Sequence, residues 1–286
     1  QPIGQEMSGH VAAVGAGVSD WTVGRAVTVM PLDWCGACPA CRAGHQHVCQ
    51  RLTFIGIDSP GALQSRWTVP ARVLVALPPD LPMTHGALVE PTAVAVHDVR
   101  RGGVRPGEHV VVVGGGPVGT LIALVSQAWG AQVVVSEPDN FRRTLLAGLG
   151  LSAVDPIAVN LADFVEEWTG GAGAAVAFEV SGSPAGIAAA VGVLAVRGRL
   201  VVVGIHARPP EVDLHRVFWR ELTLVGARVY ERADFDTAVE IIHRGDVPAE
   251  QLISRILPLA DAADAFTTLT GGGVMKVLID CAGQDR

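Results

Sequence analysis

The hydrophobic positions of this chain fall into short continuous runs rather than into stripes of period two. Val110–Val113 is β-branched throughout, as expected of a strand buried on both faces. Val133–Val135, Val176–Val180, Leu200–Gly204 and Leu222–Val225 repeat the pattern. Between them lie longer apolar stretches that read as helices, Thr120–Trp129 (ended by Gly130) and Pro184–Leu194. Strands alternating with helices predict an α/β fold with a doubly wound parallel sheet. No apolar run approaches the ~18 residues of a membrane span.

The turn between the first of these strands and its helix is Gly114-Gly115-Gly116-Pro117-Val118-Gly119, which fits G-x-G-x-x-G. Gly114 allows the tight turn, Gly116 lets backbone approach a pyrophosphate, and Gly119 permits close helix–strand packing. The helix start, with Pro117 and Val118, supplies free N–H groups and the positive end of the dipole. Glu137 follows 18 residues after Gly119, at the end of the next strand, where a carboxylate accepts hydrogen bonds from adenosine ribose. These residues are the candidate dinucleotide site; the competing reading is a glycine-rich turn of some other α/β protein. Glu137 favours NAD, because a carboxylate repels a 2′-phosphate. Arg142 and Arg143 pull toward NADP, and Arg142 joins the candidate set. Ser181-Gly182-Ser183 and Ile205-His206 follow strands and belong near the cofactor. His206 as a proton carrier competes with an ordinary loop histidine.

Composition narrows the class. The 286 residues carry 21 Lys and Arg against 28 Asp and Glu, so the net charge is −7; 49% are hydrophobic and 17% charged. Such a chain buries a large core and is not disordered. Its length suits about two domains. The acidic balance argues against a nucleic-acid partner. Lys276 is the only lysine, which leaves no other for catalysis. The first residue is Gln1 and no signal-peptide pattern follows, so the chain is expected to begin inside a longer protein.

Cys35, Cys38, Cys41 and Cys49 are spaced C-x2-C-x2-C-x7-C. Cysteines three apart in a loop rarely reach disulfide geometry. Four clustered thiolates suit tetrahedral zinc. An iron–sulfur cluster is the runner-up, but the last step is long and Gln50, not proline, follows Cys49. His45 and His47 could substitute as ligands, or simply face solvent. A site closed by four thiolates is structural, with no position left for substrate. Reduced cysteines point to a cytoplasmic protein. Cys281, standing alone, is expected to be a buried strand cysteine.

A four-cysteine loop upstream of a Rossmann unit resembles the zinc-containing medium-chain dehydrogenase/reductase family of alcohol and polyol dehydrogenases. Gly4-Gln5-Glu6 and Ser8–Gly15 resemble its Gly-His-Glu segment and following strand. Val23–Val27 resembles its "VGDRV" turn, and Glu90–Ala95 the "EPLAVA" segment of the sorbitol, threonine and butanediol dehydrogenase branch. Gly271–Lys276 and Val277–Asp280 resemble its closing strand. The resemblance implies a mainly β, GroES-like catalytic domain over 1–90, incomplete at its start, with the four-cysteine zinc lobe. It also implies a Rossmann coenzyme domain over 91–228 and a return to the catalytic domain over 229–286.

It further implies hydride transfer between NAD(H) and a secondary alcohol, polyol or sugar-derived carbonyl, with a catalytic zinc, and a homodimer or homotetramer paired through coenzyme domains. By motif matching Glu6 and Glu90 are possible ligands of that zinc. Gln5 stands where the family has His, and an amide oxygen is a poor zinc ligand. Glu90 also suits a helix-start acid before Pro91. Two alternatives stay open: a zinc-free quinone or enoyl reductase of the same superfamily, and a nucleotide-binding homologue impaired in catalysis by Gln5.

Overall fold

The computed structural model describes residues 1–282. Contacts divide it into two compact units, Gln1–Val94 with the segment from Val229 onward, and Ala95–Arg228.

The first unit is built from small sheets. Strands β1 (Ser8–His10), β2 (Ala26–Val29), β3 (Leu32–Asp33), β4 (Thr53–Phe54) and β5 (Leu74–Ala76) carry it. β1-β2-β5 form an antiparallel sheet, and β3 pairs with β4. Every residue of β2 is buried, and Val29, Ile55 and Val73 make a core lined by Met7, Trp67 and Leu74. The cysteine loop wraps the four-residue helix α1 (Pro39–Arg42). Helices α2 (Met83–Gly86) and α3 (Val89–Gly102) follow. α3 starts at Val89, so Glu90 and Pro91 lie in its first turn; the sequence had suggested a start at Pro91. The division between the units falls at Val94, inside α3, which runs unbroken from Val89 to Gly102.

The second unit is one six-stranded parallel sheet: β6 (His109–Val113), β7 (Gln132–Ser136), β8 (Ser152–Val154), β9 (Ala174–Glu179), β10 (Leu194–Val202) and β11 (Thr223–Gly226). The spatial order β11-β10-β9-β6-β7-β8 reverses between β6 and β9. Ligands of open α/β sheets bind at such a switch point, outside the carboxyl ends of the strands. Val110, Val111 and Val112 are fully buried, which is why their run shows no alternation. Helices α4 (Pro117–Ala128), α5 (Asn140–Gly148), α6 (Leu161–Trp168), α7 (Pro184–Gly192) and α8 (Leu214–Trp219) connect the strands. α4 starts three residues before the stretch read from sequence, because Pro117 at its first turn is preset for a helix. α7 stops at Gly192, and Leu194 opens β10 instead, six residues before the strand expected there.

Returning to the first unit, α9 (Arg232–Arg244) buries Phe235, Ala238, Ile241 and Ile242 on one face and ends on Gly245 in the left-handed region. β12 (Ile253–Pro258) and β13 (Lys276–Asp280) pair in parallel. Cys281 follows the end of β13 and is half-buried, so it is not the buried strand cysteine the pattern suggested. Among the described residues no helix is long and apolar enough to cross a membrane.

Candidate functional site

In the second unit space demands glycine at Gly114 and Gly119 of the turn. Gly114 takes φ +107° and lies against the next loop; a Cβ there would sit 3.0 Å from Ser181 N. A Cβ on Gly119 would sit 1.8 Å from the Gly114 carbonyl oxygen. Gly116 caps α4 without a side-chain hydrogen bond, and a Cβ on it would meet only an Arg142 nitrogen, at 3.7 Å. The start of α4 thus carries no side-chain cap, which leaves it open to a phosphate. Pro117, which has no N–H to offer, and Val118 form the first turn.

Glu137 continues directly from β7 and is 3% exposed. Its Oε2 accepts the Gly115 N–H at 2.7 Å and its Oε1 the Asp139 N–H at 2.8 Å. The carboxylate thus braces the glycine turn from behind while standing where a ribose would lie. Arg142 Nη1 is 3.6 Å from Glu137 Oε2. Arg143 turns elsewhere: it donates to the Glu137 and Pro138 carbonyls and pairs with Asp155 at 3.0 Å. Of the two arginines, Arg142 alone stands over the turn.

In the first unit the four cysteine sulfurs all lie within 4.8 Å of one another, the only group of three or more His, Cys, Asp or Glu ligand atoms so gathered among the described residues. Cys49 Sγ is 3.5 Å from Cys35 and 3.8 Å from Cys38, and Cys35 is 4.0 Å from Cys41. A zinc–sulfur bond of about 2.3 Å gives a tetrahedral edge of about 3.8 Å, so one zinc fits; the space does not admit the several irons of a cluster. Backbone N–H groups prepare the thiolates: those of Ala37 and Cys38 reach Cys35 Sγ at 3.4 Å, and that of Arg51 reaches Cys49 at 3.3 Å. The Ala37 N–H leads in lowering the Cys35 thiol to about 5, while burial pushes Cys41 up to about 12. His45 and His47 stand outside the group; His47 Nδ1 lies 3.7 Å from Glu231.

The carboxylates singled out on the catalytic side have partners far along the chain. Glu90, 3% exposed, accepts a hydrogen bond from the Tyr230 hydroxyl at 2.8 Å. Burial drives its carboxyl up to about 7, with the phenol pulling back. Tyr230 is itself fully buried, packed edge-on against Phe235 at 4.6 Å, and its hydroxyl is pushed well above the usual tyrosine range by burial. It follows Val229, which holds φ +50°, an unfavourable angle for a β-branched residue. Glu6 is ion-paired with Lys276, whose ammonium burial lowers to about 8. Gln5 is half-buried beside Gly56. Glu6 and Glu90 belong to no group of three or more His, Cys, Asp or Glu ligand atoms among the described residues.

Sequence reading missed Tyr230 and Glu179. Glu179 closes β9, fully buried, and binds His206. An acid ending the apolar run Ala174–Val180 was the available signal.

Comparison with known proteins decides the family. Residues 1–79 match the alcohol dehydrogenase GroES-like domain and residues 117–244 the zinc-binding dehydrogenase domain. The 2-dehydro-3-deoxy-L-galactonate 5-dehydrogenase of Pseudoalteromonas atlantica is 50% identical over 285 residues, covering 99% of this chain and 84% of that one. The chain is a zinc-binding dehydrogenase of the medium-chain alcohol and polyol family. Among solved structures of this family, a zinc-binding dehydrogenase from Sinorhizobium meliloti bound to NADP superposes with a TM-score of 0.90 at 28% identity, covering 97% of this chain and 82% of that one. The 2R,3R-butanediol dehydrogenase from Bacillus subtilis gives a TM-score of 0.90 at 29% identity, with coverage of 97% and 80%. The two units are thus a GroES-like part bearing the four-cysteine lobe and a Rossmann coenzyme part, and the lobe suits the zinc-containing members rather than the zinc-free reductases.

Proposed function

We propose that this dehydrogenase oxidises a secondary hydroxyl of a sugar acid, with NAD as the hydride acceptor. The half-identical match along nearly the whole chain to a 2-dehydro-3-deoxy-L-galactonate 5-dehydrogenase carries the substrate class. Oxidation removes a hydride and a proton from the alcohol, and bound nicotinamide supplies the hydride acceptor. Gly114, Gly116, Pro117, Val118 and Gly119 bind the pyrophosphate, and Glu137 the adenosine ribose. Arg142 is the group that would admit a 2′-phosphate, so NADP is the second choice.

Glu90 is the proposed proton acceptor. A carboxyl held near 7 can take and return a proton close to neutral pH, and Tyr230 fixes its orientation. Glu6 and Gln5 are proposed beside it on the substrate side, with Lys276 balancing the Glu6 charge. Cys35, Cys38, Cys41 and Cys49 would hold one zinc, whose work is to fix the lobe.

We also propose a homodimer or homotetramer. β11 is an open sheet edge with Leu224 exposed, and Phe218 and Trp219 on the adjoining α8 are exposed as well. Light scattering checks it: a monomer at working concentration contradicts the proposal.

The activity test mixes enzyme, 2-dehydro-3-deoxy-L-galactonate and either NAD⁺ or NADP⁺ and follows nicotinamide reduction. Reduction of NAD⁺ is expected, faster than that of NADP⁺. No reduction with this or any other sugar acid or polyol would sink the assignment. Metal analysis is expected to find about one zinc per chain.

A further inference from the structure

The coenzyme unit holds a second polar centre that the glycine turn does not use. Glu179 ends β9, the neighbour of β6, so its side chain belongs to the carboxyl edge of the sheet beside the switch point. Its fully buried carboxylate is answered on both oxygens: Oε1 accepts from the Ser181 hydroxyl at 2.6 Å and the Gly182 N–H at 2.9 Å, and Oε2 lies 2.9 Å from His206 Nε2. Two glycines clear the space. A Cβ on Gly204 would sit 2.7 Å from Oε2, and one on Gly186 2.9 Å from Oε1. A charge is buried at this expense only when its partners are fixed.

A carboxylate can only accept, so it holds the neutral ring's proton on Nε2 and leaves Nδ1 as an acceptor. Nδ1 is buried and has no hydrogen-bond partner among the described residues. The imidazole is 10% exposed, yet it belongs to a loop, 203–213, that carries neither helix nor strand, and its neighbour Ile205 is 95% exposed. Nδ1 is therefore a buried acceptor carried on a surface loop. The direction of the ligand follows from the sheet order. Phosphates at the β6 turn and adenosine ribose at Glu137, after β7, leave the other half of a dinucleotide on the β9–β10 side.

We infer that His206 binds the nicotinamide-riboside half of the cofactor, its Nδ1 accepting a hydrogen bond from the carboxamide amine or a ribose hydroxyl, with Glu179 as the positioning residue that sets the tautomer. The inference rests on the dinucleotide reading above. It is tested by titrating NADH, ADP-ribose and ADP against the wild-type chain, His206→Gln and Glu179→Gln, with thermal unfolding alongside. His206→Gln keeps an amide donor for Glu179 but loses the ring Nδ1. Glu179→Gln keeps the shape but offers an N–H to the ring, which moves the ring proton to Nδ1. NADH is expected to bind about five- to tenfold more weakly to both variants, while ADP binds as to wild type. ADP-ribose tells the two donors apart: it weakens with NADH if the ribose hydroxyl is bound, and is unchanged if the carboxamide is. If Glu179→Gln does not fold, His206→Gln carries the test. NADH binding to His206→Gln within about twofold of wild type overturns the inference, as does equal weakening of NADH and ADP. Failure of wild type to bind any of the three would instead remove the dinucleotide reading and this inference with it.

Discussion

Glu137 and Glu90 are buried to the same 3% exposure, one in each unit, yet their surroundings differ in kind. Glu137 sits in a cradle of donors: two backbone N–H groups, from Gly115 and Asp139, with the Arg142 guanidinium alongside. Glu90 has a single phenol, 140 residues away in sequence, and burial raises its carboxyl to about 7. Burial alone does not decide what a carboxyl is for. Surrounded by donors it is a fixed acceptor, suited to ribose hydroxyls; in apolar surroundings it becomes a group that can gain and lose a proton near neutrality.

The contrast can be broken most severely from the cradle side. Gly119→Ala forces a Cβ to within 1.8 Å of the Gly114 carbonyl, so turn and helix must separate. It is expected to destabilise the chain by about 3 kcal/mol or more and to abolish NADH binding. Calorimetry and NADH fluorescence check both; Gly116→Ala, with only an Arg142 nitrogen at 3.7 Å, is expected to fold normally and lose binding alone.

Next in size is the pH response of Glu90. Its pKa rises from 4.5 unfolded to about 7 folded, so the folded state binds a proton that the unfolded state has released between those values. The stabilisation is complete below about 4.5 and is lost as pH rises through 7, a change of about 3 kcal/mol. Denaturant unfolding across this range should show the loss in wild type and a flatter profile in Glu90→Gln. Identical profiles would place the Glu90 carboxyl in the ordinary range and contradict its proposed role as proton acceptor.

Tyr230→Phe leaves Glu90 Oε1 without its donor and is expected to cost about 1–3 kcal/mol. Because the phenol lowers the Glu90 carboxyl, its loss moves the pH response above 7; an unmoved response would mean the bond does not matter. The smallest effect belongs to Arg142→Ala. This side chain is 41% exposed, so stability should change by no more than about 0.5 kcal/mol. Its readout is the NADH-to-NADPH affinity ratio, which should rise as the Arg142 cation is lost from the turn.

What could be read from sequence follows the same division. The glycine turn with Glu137, and the four cysteines, each lie within a short stretch of chain, so their spacing carries the reading. Strands of the parallel sheet were visible because burial on both faces leaves unbroken apolar runs. Tyr230, Lys276 and His206 gain their meaning only from partners 140, 270 and 27 residues away, a pairing no local pattern encodes. Ends of elements were misjudged where apolar composition continues past them: Leu194 reads as helix but opens β10, and Cys281 reads as strand but follows its end.

The proposed preference for NAD rests on Glu137, braced against the glycine turn. Equilibrium titration of wild type and Glu137→Ala with NADH and NADPH tests it most directly. Wild type should bind NADH at least about tenfold more tightly than NADPH, and Glu137→Ala should lose that margin through weaker NADH binding. Equal or tighter binding of NADPH by wild type, or an unchanged ratio in Glu137→Ala, would contradict it.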